Sequence, residues 1–132
     1  MAGAAAEISR KEEVEAAKAG RLKERLQRLL REAAEVEVEL SRADGSIRGV
    51  PHYSVIEGRA HELGRELSRQ VQQRQMGELA ASQPRFAKCP SCGTRCEVQP
   101  RQREVQSVDG AAELPELAGS CPYCRKLFFS AP

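Results

Sequence analysis

Two Cys-x-x-Cys pairs constrain the fold of this chain more than any other feature. Cys89 and Cys92 form the first pair, and Cys121 and Cys124 form the second pair after the intervening residues 93–120. Two such pairs supply the four thiolates of a tetrahedral structural zinc site, with each sulfur about 2.3 Å from the ion. The turn inside each pair also lets backbone N–H groups donate to the thiolates. We therefore predict one structural Zn²⁺ bound by these four cysteines.

Other uses of these cysteines fit the sequence less well. Disulfides form in oxidising compartments, and the N-terminal residues lack the apolar segment of a secretory signal. A thioredoxin-type motif has one Cys-x-x-Cys pair at the start of a helix, whereas two pairs in turns and strands are expected here. A catalytic zinc keeps an open coordination position, which four thiolates close. The fifth cysteine, Cys96, is expected to be a small, partly buried strand residue, with a competing ligand as the alternative.

The residues around the two pairs predict a small antiparallel sheet. Segments 94–99 and 103–108 have the composition of strands, with Pro100-Arg101-Gln102 as their turn. A third strand is predicted over 113–119, after a turn at Asp109-Gly110. The sequence therefore predicts a three-stranded Cys₄ zinc ribbon over residues 85–132. Because so short a ribbon has almost no hydrophobic core, zinc is expected to supply much of its folding free energy.

Residues 1–84 have helical periodicity and predict two helices. The first helix, about residues 7–42, has apolar residues in a coiled-coil spacing of four and three: Leu22, Leu26, Leu29, Ala33, Val36 and Leu40. The second helix, about residues 51–81, begins with Pro51 and has its own stripe: Tyr53, Ile56, Ala60, Leu63, Leu67 and Val71. We predict an α+β protein with a long antiparallel, coiled-coil-like helical hairpin before the ribbon. Because such narrow stripes bury little on their own, the hairpin is expected to pack on a second copy, a partner or a further domain, and a homodimer is the self-contained solution that we expect.

Charge gives only a weak indication of the partner. The chain has 21 Lys and Arg residues against 19 Asp and Glu residues, a net charge of +2 spread evenly along it. A strong electrostatic attraction to nucleic acid is therefore not expected. The local cations with the best prospect of contacting DNA phosphates are Arg65, Arg69, Arg101, Arg103, Arg125 and Lys126. The two histidines, His52 and His61, have no metal-type neighbours in sequence and are expected to be structural.

From residue 51 onward the chain resembles the N-terminal region of ISKra-type bacterial insertion-sequence transposases. The resemblance rests on the order of several motifs: VPHYSVIE, GRELSR and QQRQM, then CPSCG, REVQSVDG and CPYCRKLFF. It implies a helical segment followed by a ribbon in which Cys89, Cys92, Cys121 and Cys124 bind zinc. It also matches Phe128 and Phe129 to the family's aromatic pair after the second knuckle. The function that it implies is DNA binding and assembly.

The resemblance does not extend to catalysis. In the family, the ribbon precedes an RNase H-like domain whose three acidic residues hold the catalytic metals, whereas this sequence stops at Pro132. We therefore expect no transposase activity. We expect the chain to be the product of a truncated or split transposase reading frame, or a free-standing regulator derived from one. The sequence also has no nucleophile–base pair and no Gly-rich phosphate loop. The protein is accordingly predicted not to be an enzyme and to have no small-molecule substrate.

A protein-interaction module is the alternative function. A coiled coil followed by a zinc finger is similar in layout to bacterial regulators that insert a coiled-coil tip into RNA polymerase. Those regulators depend on acidic tip residues, whereas the tip predicted here, Arg42-Ala43-Asp44-Gly45-Ser46, has a single Asp. In either case no apolar run approaches the roughly 18 residues of a membrane span. A cytoplasmic location without membrane contact is therefore expected.

Overall fold

The computed structural model describes residues 2–130, which form two helices followed by a four-stranded sheet. The helices are α1 (Ala2–Ala43) and α2 (Tyr53–Ser82). The strands are β1 (Phe86–Lys88), β2 (Arg95–Ser107), β3 (Gly110–Ser120) and β4 (Leu127–Ser130). The predicted α+β class is confirmed. The chain divides into two compact units, Met1–Val55 and Ile56–Pro132.

Helix α1 makes up most of the first unit and begins earlier than the sequence predicts. It continues through Gly20 without a break and ends where the Asp44–Ser46 turn begins. The Asp44 carboxylate accepts the backbone N–H of Ser46 at 2.8 Å, and the N–H of Ile47 donates to the carbonyl of Ser41 at 3.0 Å. These bonds satisfy backbone groups that the end of a helix otherwise leaves unpaired.

The coiled-coil stripe of α1 is exposed. Its large members, Leu22, Leu26, Leu29, Val36 and Leu40, each retain about half of their accessible surface. An amphipathic helix gains most of its stability by burying such a face. The stripe is thus available for contact with another apolar surface. No helix within residues 2–130 is both long enough and apolar enough to cross a bilayer.

The sheet of the second unit is an antiparallel meander in the order β1-β2-β3-β4. The prediction of three strands was therefore wrong in detail. The predicted segments 94–99 and 103–108 form one strand, β2, and the predicted turn at Pro100-Arg101-Gln102 lies inside it. The short strands β1 and β4 adjoin the two cysteine pairs and complete the sheet.

The directions of the backbone N–H groups explain why Pro100 does not break β2. The N–H of Val98 donates to the carbonyl of Arg85 at 2.7 Å, on the β1 side of the strand. Two residues later the nitrogen of Pro100 points to the same side, where the pairing with β1 has already ended at Glu97. Proline is tolerated in a strand where its nitrogen faces an open edge. The proline in β2 therefore costs no ladder hydrogen bond.

Helix α2 packs against the sheet, and the predicted helical hairpin is not matched. At its C-terminal end Ala80 is buried with Val98, Leu117 and Phe128, and Met76 lines a small cleft with Pro115. A side chain at Gly77 would also meet Pro115, because a Cβ there would lie 3.6 Å from the proline ring.

The middle of α2 reaches the β2–β3 turn. The hydroxyl of Ser68 donates to the Asp109 carboxylate, and Arg69 Nη1 donates to the Asp109 carbonyl at 3.4 Å. Apart from Met76, the residues of α2 that contact the sheet are thus small or polar. The apolar stripe predicted for hairpin packing, from Tyr53 to Val71, stays exposed. The predicted boundary near residue 84 lies just after the end of α2 and stays a prediction.

Candidate metal centre

Two backbone turns of the same design position the four cysteines. In the first turn, the N–H of Gly93 donates to the Cys89 carbonyl at 2.9 Å, and the N–H of Cys89 donates to Thr94 at 2.8 Å. In the second turn, Arg125 donates to Cys121 at 2.9 Å, and Cys121 donates to Lys126 at 3.0 Å. We call these turns the first knuckle (89–94) and the second knuckle (121–126). Each knuckle presents two thiols on the same side of its turn.

The two knuckles bring the four predicted ligand atoms together. The Sγ atoms of Cys89, Cys92, Cys121 and Cys124 all lie within 4.8 Å of one another. Across the knuckles, Cys89 and Cys124 are 3.5 Å apart, and so are Cys92 and Cys121. Four sulfurs at tetrahedral corners about 2.3 Å from a zinc ion lie about 3.8 Å from one another. The four thiols are therefore close enough to hold a metal ion, and their spacing fits a tetrahedral one.

Backbone N–H groups stabilise negative charge on one thiol of each knuckle. The N–H groups of Cys92 and Ser91 lower the pKa of Cys89. Those of Cys124 and Tyr123 lower the pKa of Cys121 to about 6. Hydrogen bonds to an ionised group favour that form. Each knuckle thus prepares a thiolate for a cation.

In the second knuckle, the pKa of the Cys124 thiol is raised because four like groups lie close together. At Cys124 the N–H of Lys126 acts to lower the pKa, but burial and the neighbouring Cys89 and Cys121 thiols outweigh it and raise the pKa to about 11. Like charges that share a site disfavour each other's ionisation. Only a cation at the centre allows all four sulfurs to be thiolates together, which is the form that binds a metal.

Cys96 lies beside this cluster but does not belong to it. It is in β2 as the sequence predicts, and its side chain is fully buried rather than partly buried. Its thiol donates to the carbonyl of Thr94 at 3.2 Å. Burial and the neighbouring thiol of Cys121 raise the pKa of Cys96. The protonated thiol therefore acts as a small apolar residue in the strand.

The candidate metal centre forms one end of the small core of this unit. Cys89, Cys96 and Cys121 belong to the same buried cluster as Val98, Leu117 and Phe128. Gly119 allows this close packing, since a Cβ at this position would lie 2.9 Å from Val98 and 3.0 Å from the Phe128 ring. The packing roles of Gly119 and Ala80 were not predicted from the sequence. A glycine inside a predicted strand was the one available signal of close backbone approach.

The six cations predicted to contact DNA differ in their surroundings. On α2, Arg65 pairs with Glu62 at 2.8 Å and Arg69 pairs with Glu66 at 2.9 Å. On β2, Arg103 pairs with Glu116 at 3.1 Å. Among residues 2–130 no carboxylate lies within ion-pair distance of Arg101 or Arg125, and Lys126 Nζ lies 3.4 Å from the hydroxyl of Ser91. The ribbon cations are thus less neutralised than those on α2.

Neither histidine joins the metal centre. The Nδ1 atom of His52 accepts the backbone N–H of Ser54 at 3.2 Å, and its carbonyl accepts the N–H of Val55 at 3.0 Å. It therefore caps the start of α2. The Nε2 atom of His61 lies 3.6 Å from Glu57 on the exposed surface of the same helix.

Comparisons with known protein families, curated proteins and solved structures find no match for this chain. Its function has therefore to be inferred from the four-cysteine cluster and the surfaces around it. The resemblance to insertion-sequence transposases stays a prediction.

Proposed function

We propose that this protein is a non-catalytic zinc-ribbon module that binds DNA and assembles through its long helix. The observation that carries the proposal is the convergence of four thiols from two knuckles within 4.8 Å of one another. Zinc in such a site has four protein ligands and no position left for water or substrate. The ion would therefore hold the ribbon in shape rather than take part in a reaction.

Zinc is the metal that the donor set favours. Four thiolates in a tetrahedral arrangement suit Zn²⁺ or an iron–sulfur site, whereas Mg²⁺ and Ca²⁺ require oxygen ligands. The donors come from two separate knuckles whose backbone N–H groups point at the sulfurs. In this setting Cys89, Cys92, Cys121 and Cys124 would hold the ion. Metal binding would also remove the repulsion that keeps Cys124 protonated.

Exposed cations on the ribbon support the DNA-binding part of the proposal. Arg101, Arg125 and Lys126 have no carboxylate within ion-pair distance among residues 2–130, and Arg103 pairs only with Glu116. These four side chains are the best candidates for phosphate contacts. Arg65 and Arg69 are weaker candidates because their guanidinium groups already contact Glu62 and Glu66.

The exposed stripe of α1 supports the assembly part of the proposal. Its apolar residues repeat every three or four positions along a helix of 42 residues. A second copy of the same stripe would bury these residues in coiled-coil fashion. Pairing of two chains would also double the number of ribbon cations presented to one DNA molecule.

A salt titration on zinc-loaded protein tests the DNA-binding part. Fluorescence anisotropy with labelled DNA would measure affinity as the salt concentration rises. Four phosphate contacts predict a slope of about −3.6 for log K against log salt. The variant R101E/R125E should weaken binding and flatten the slope, whereas R74E/E78R, which only exchanges the partners of an exposed ion pair on α2, should change neither. Absence of binding at low salt would contradict the proposal.

A protein-interaction module is the second candidate, and the exposed apolar stripes on both helices favour it. If the turn after α1 contacts the protein partner, removal of the Asp44 charge should change the affinity for that partner. The Asp44 carboxylate also holds the turn by accepting the N–H of Ser46 at 2.8 Å. Asp44→Asn keeps that acceptor and removes the charge, whereas Asp44→Lys removes both. Loss of partner capture with both variants would favour this candidate over DNA binding.

A further inference from the structure

One face of the sheet exposes two phenylalanines and most of the cations of the ribbon. Residues that pair across antiparallel strands share a face, and so do residues two apart along a strand. Phe86 pairs with Glu97, which lies two residues before Gln99 on β2. Gln99 pairs with Ala118, and Ala118 pairs with Phe129, so Phe86 and Phe129 share one face of the sheet. The buried residues Val98 and Phe128, which contact α2 through Ala80, lie on the opposite face. We call the face with Phe86 and Phe129 the open face because most of its side chains in β1, β2 and β4 are exposed, although its β3 residues Ala112, Leu114 and Ala118 are buried.

Each phenylalanine of the open face makes a cation–π contact with an arginine. The guanidinium carbon of Arg95 lies 4.2 Å from the centre of the Phe86 ring, and that of Arg103 lies 4.8 Å from the centre of the Phe129 ring. The rings nevertheless remain 51% and 37% exposed. Aromatic rings and guanidinium planes are the two side-chain groups on which nucleobases stack. The open face thus carries two layered stacking sites.

The charge of the open face suits a polyanion. Its charged side chains in β1, β2 and β3 are four cations and two carboxylates: Lys88, Arg95, Arg101, Arg103, Glu97 and Glu116. One of the carboxylates, Glu116, is mostly covered and pairs with Arg103. Arg101 has no carboxylate partner among residues 2–130 and lies on β2 between the two stacking sites. The arrangement places free positive charge where the backbone of a bound strand would pass.

We infer that the open face binds single-stranded DNA, with unpaired bases stacked on Phe86 and Phe129 and phosphates near Lys88 and Arg101. This inference rests on the proposed function and specifies which form of DNA the ribbon contacts. Three strand spacings of about 4.8 Å place the two rings roughly 14 Å apart across the sheet, which a short run of nucleotides spans. A duplex keeps its bases stacked on each other, so it cannot use these rings. The open face therefore discriminates in favour of unpaired strands.

A pair of matched oligonucleotides and four variants test this inference. Zinc-loaded protein is titrated into a labelled oligothymidylate of about 12 nucleotides and into a duplex of the same length. Phe86→Leu and Phe129→Leu keep an apolar side chain under each arginine and remove the stacking surface. Phe129→Trp keeps that surface. Tyr53→Leu removes an exposed aromatic ring that lies on α2 and not on the sheet, and it serves as the control. Zinc content and circular dichroism verify that each variant is folded.

The inference predicts tighter binding of the single strand than of the duplex. Each Leu variant should lose about fivefold or more in single-strand affinity, while Phe129→Trp and Tyr53→Leu should bind like the wild type. Equal affinity for both oligonucleotides, or Leu variants that bind the single strand like the wild type, would overturn the inference and leave phosphate-based DNA binding intact. Absence of binding to either oligonucleotide at low salt would overturn the proposed function as well.

Discussion

Gly93 and Arg125 occupy the same position in the two knuckles, four residues after the first cysteine of each. Both adopt left-handed backbone geometry, with φ values of 74° and 58°, and each donates its N–H to that first cysteine's carbonyl at 2.9 Å. Glycine adopts this conformation without a steric cost, whereas an L-residue loses roughly 1–2 kcal/mol. Arg125 is therefore the more strained of two equivalent residues. Its guanidinium has no carboxylate partner among residues 2–130.

Replacement of Arg125 by glycine should separate stability from DNA binding. The change relieves the left-handed strain, so the free energy of unfolding of zinc-loaded protein should rise by up to about 1 kcal/mol, the gain being reduced by the greater freedom of glycine in the unfolded chain. The same change removes a cation from the ribbon, so DNA affinity should fall. Urea unfolding and anisotropy measure the two effects.

The matched control for this change is Gly93→Ala. It places a side chain at the same turn position in the first knuckle and should lower the free energy of unfolding by about 1 kcal/mol. A stability loss for Arg125→Gly would show that the arginine side chain makes a stabilising contact, contrary to our description of it as exposed and unpaired.

Gly119 should be intolerant of even a methyl group. A Cβ at this position would approach Val98 Cγ1, the carbonyl oxygen of Glu97 and the Phe128 ring within 3.0 Å. Because one of these neighbours is backbone, Gly119→Ala should cost about 1–3 kcal/mol of unfolding free energy. Thermal or urea unfolding would measure this loss.

Gly64 provides the comparison for Gly119→Ala. Beyond the adjoining residues and the local helix backbone, no atom of residues 2–130 lies within 4 Å of a Cβ at Gly64, which is inside helix α2. Gly64→Ala should therefore be neutral or stabilising by up to about 1 kcal/mol through helix propensity. Equal stability of wild type and Gly119→Ala would mean that Val98, Glu97 and Phe128 do not pack as closely around Gly119 as described.

The seam of α1 should control self-association. Val36 lies on the coiled-coil stripe, and Val38, two residues later, lies on the opposite side of the helix. Both are about half exposed. Val36→Glu places a charge in the apolar interface of a dimer and should shift the protein to monomer. Val38→Glu should leave the dimer unchanged. Light scattering at several protein concentrations distinguishes these outcomes, and a wild-type protein that is monomeric throughout would refute the dimer.

Zinc retention should depend on pH because the ligands bind as thiolates. The pKa of Cys121 is lowered to about 6, from 9.0 for an unperturbed thiol. Its contribution to stability is therefore fully present above pH 9 and is lost as the pH falls through about 6. Protons also compete with a bound metal for the ligand sulfurs as the pH falls. Zinc release, followed with a colorimetric chelator, should increase steeply below about pH 6; a pH-independent release would contradict thiolate ligation.

The cysteine spacing predicted the four-thiol cluster well because it is a local feature. Cys89, Cys92, Cys121 and Cys124 meet as the sequence indicates, since each knuckle needs only its own turn and the two turns need only to face each other. The β2–β3 turn at Asp109 was also predicted, because a Gly follows it in the sequence. Pro100 was misread as a turn residue because the edge position that tolerates it depends on where β1 ends.

The partner of α2 was not predictable from periodicity. The stripe from Tyr53 to Val71 is the strongest apolar signal in that helix, yet the sheet packs against Ser68, Gly77 and Ala80 on another face. Small residues allow close approach but contribute little to a hydrophobic pattern. The contact also depends on Asp109, which lies 41 residues from Ser68 in the sequence.

Native mass spectrometry of the wild-type chain, Cys92→Ser and Cys96→Ser tests the central claim most directly. Cys92 is exposed, so its replacement probes metal binding rather than packing, whereas Cys96 is buried outside the cluster. We predict one zinc per chain for the wild type and for Cys96→Ser, and loss of the zinc from Cys92→Ser. A wild-type protein without metal, or one whose zinc survives in Cys92→Ser and is lost from Cys96→Ser, would contradict the four-cysteine site.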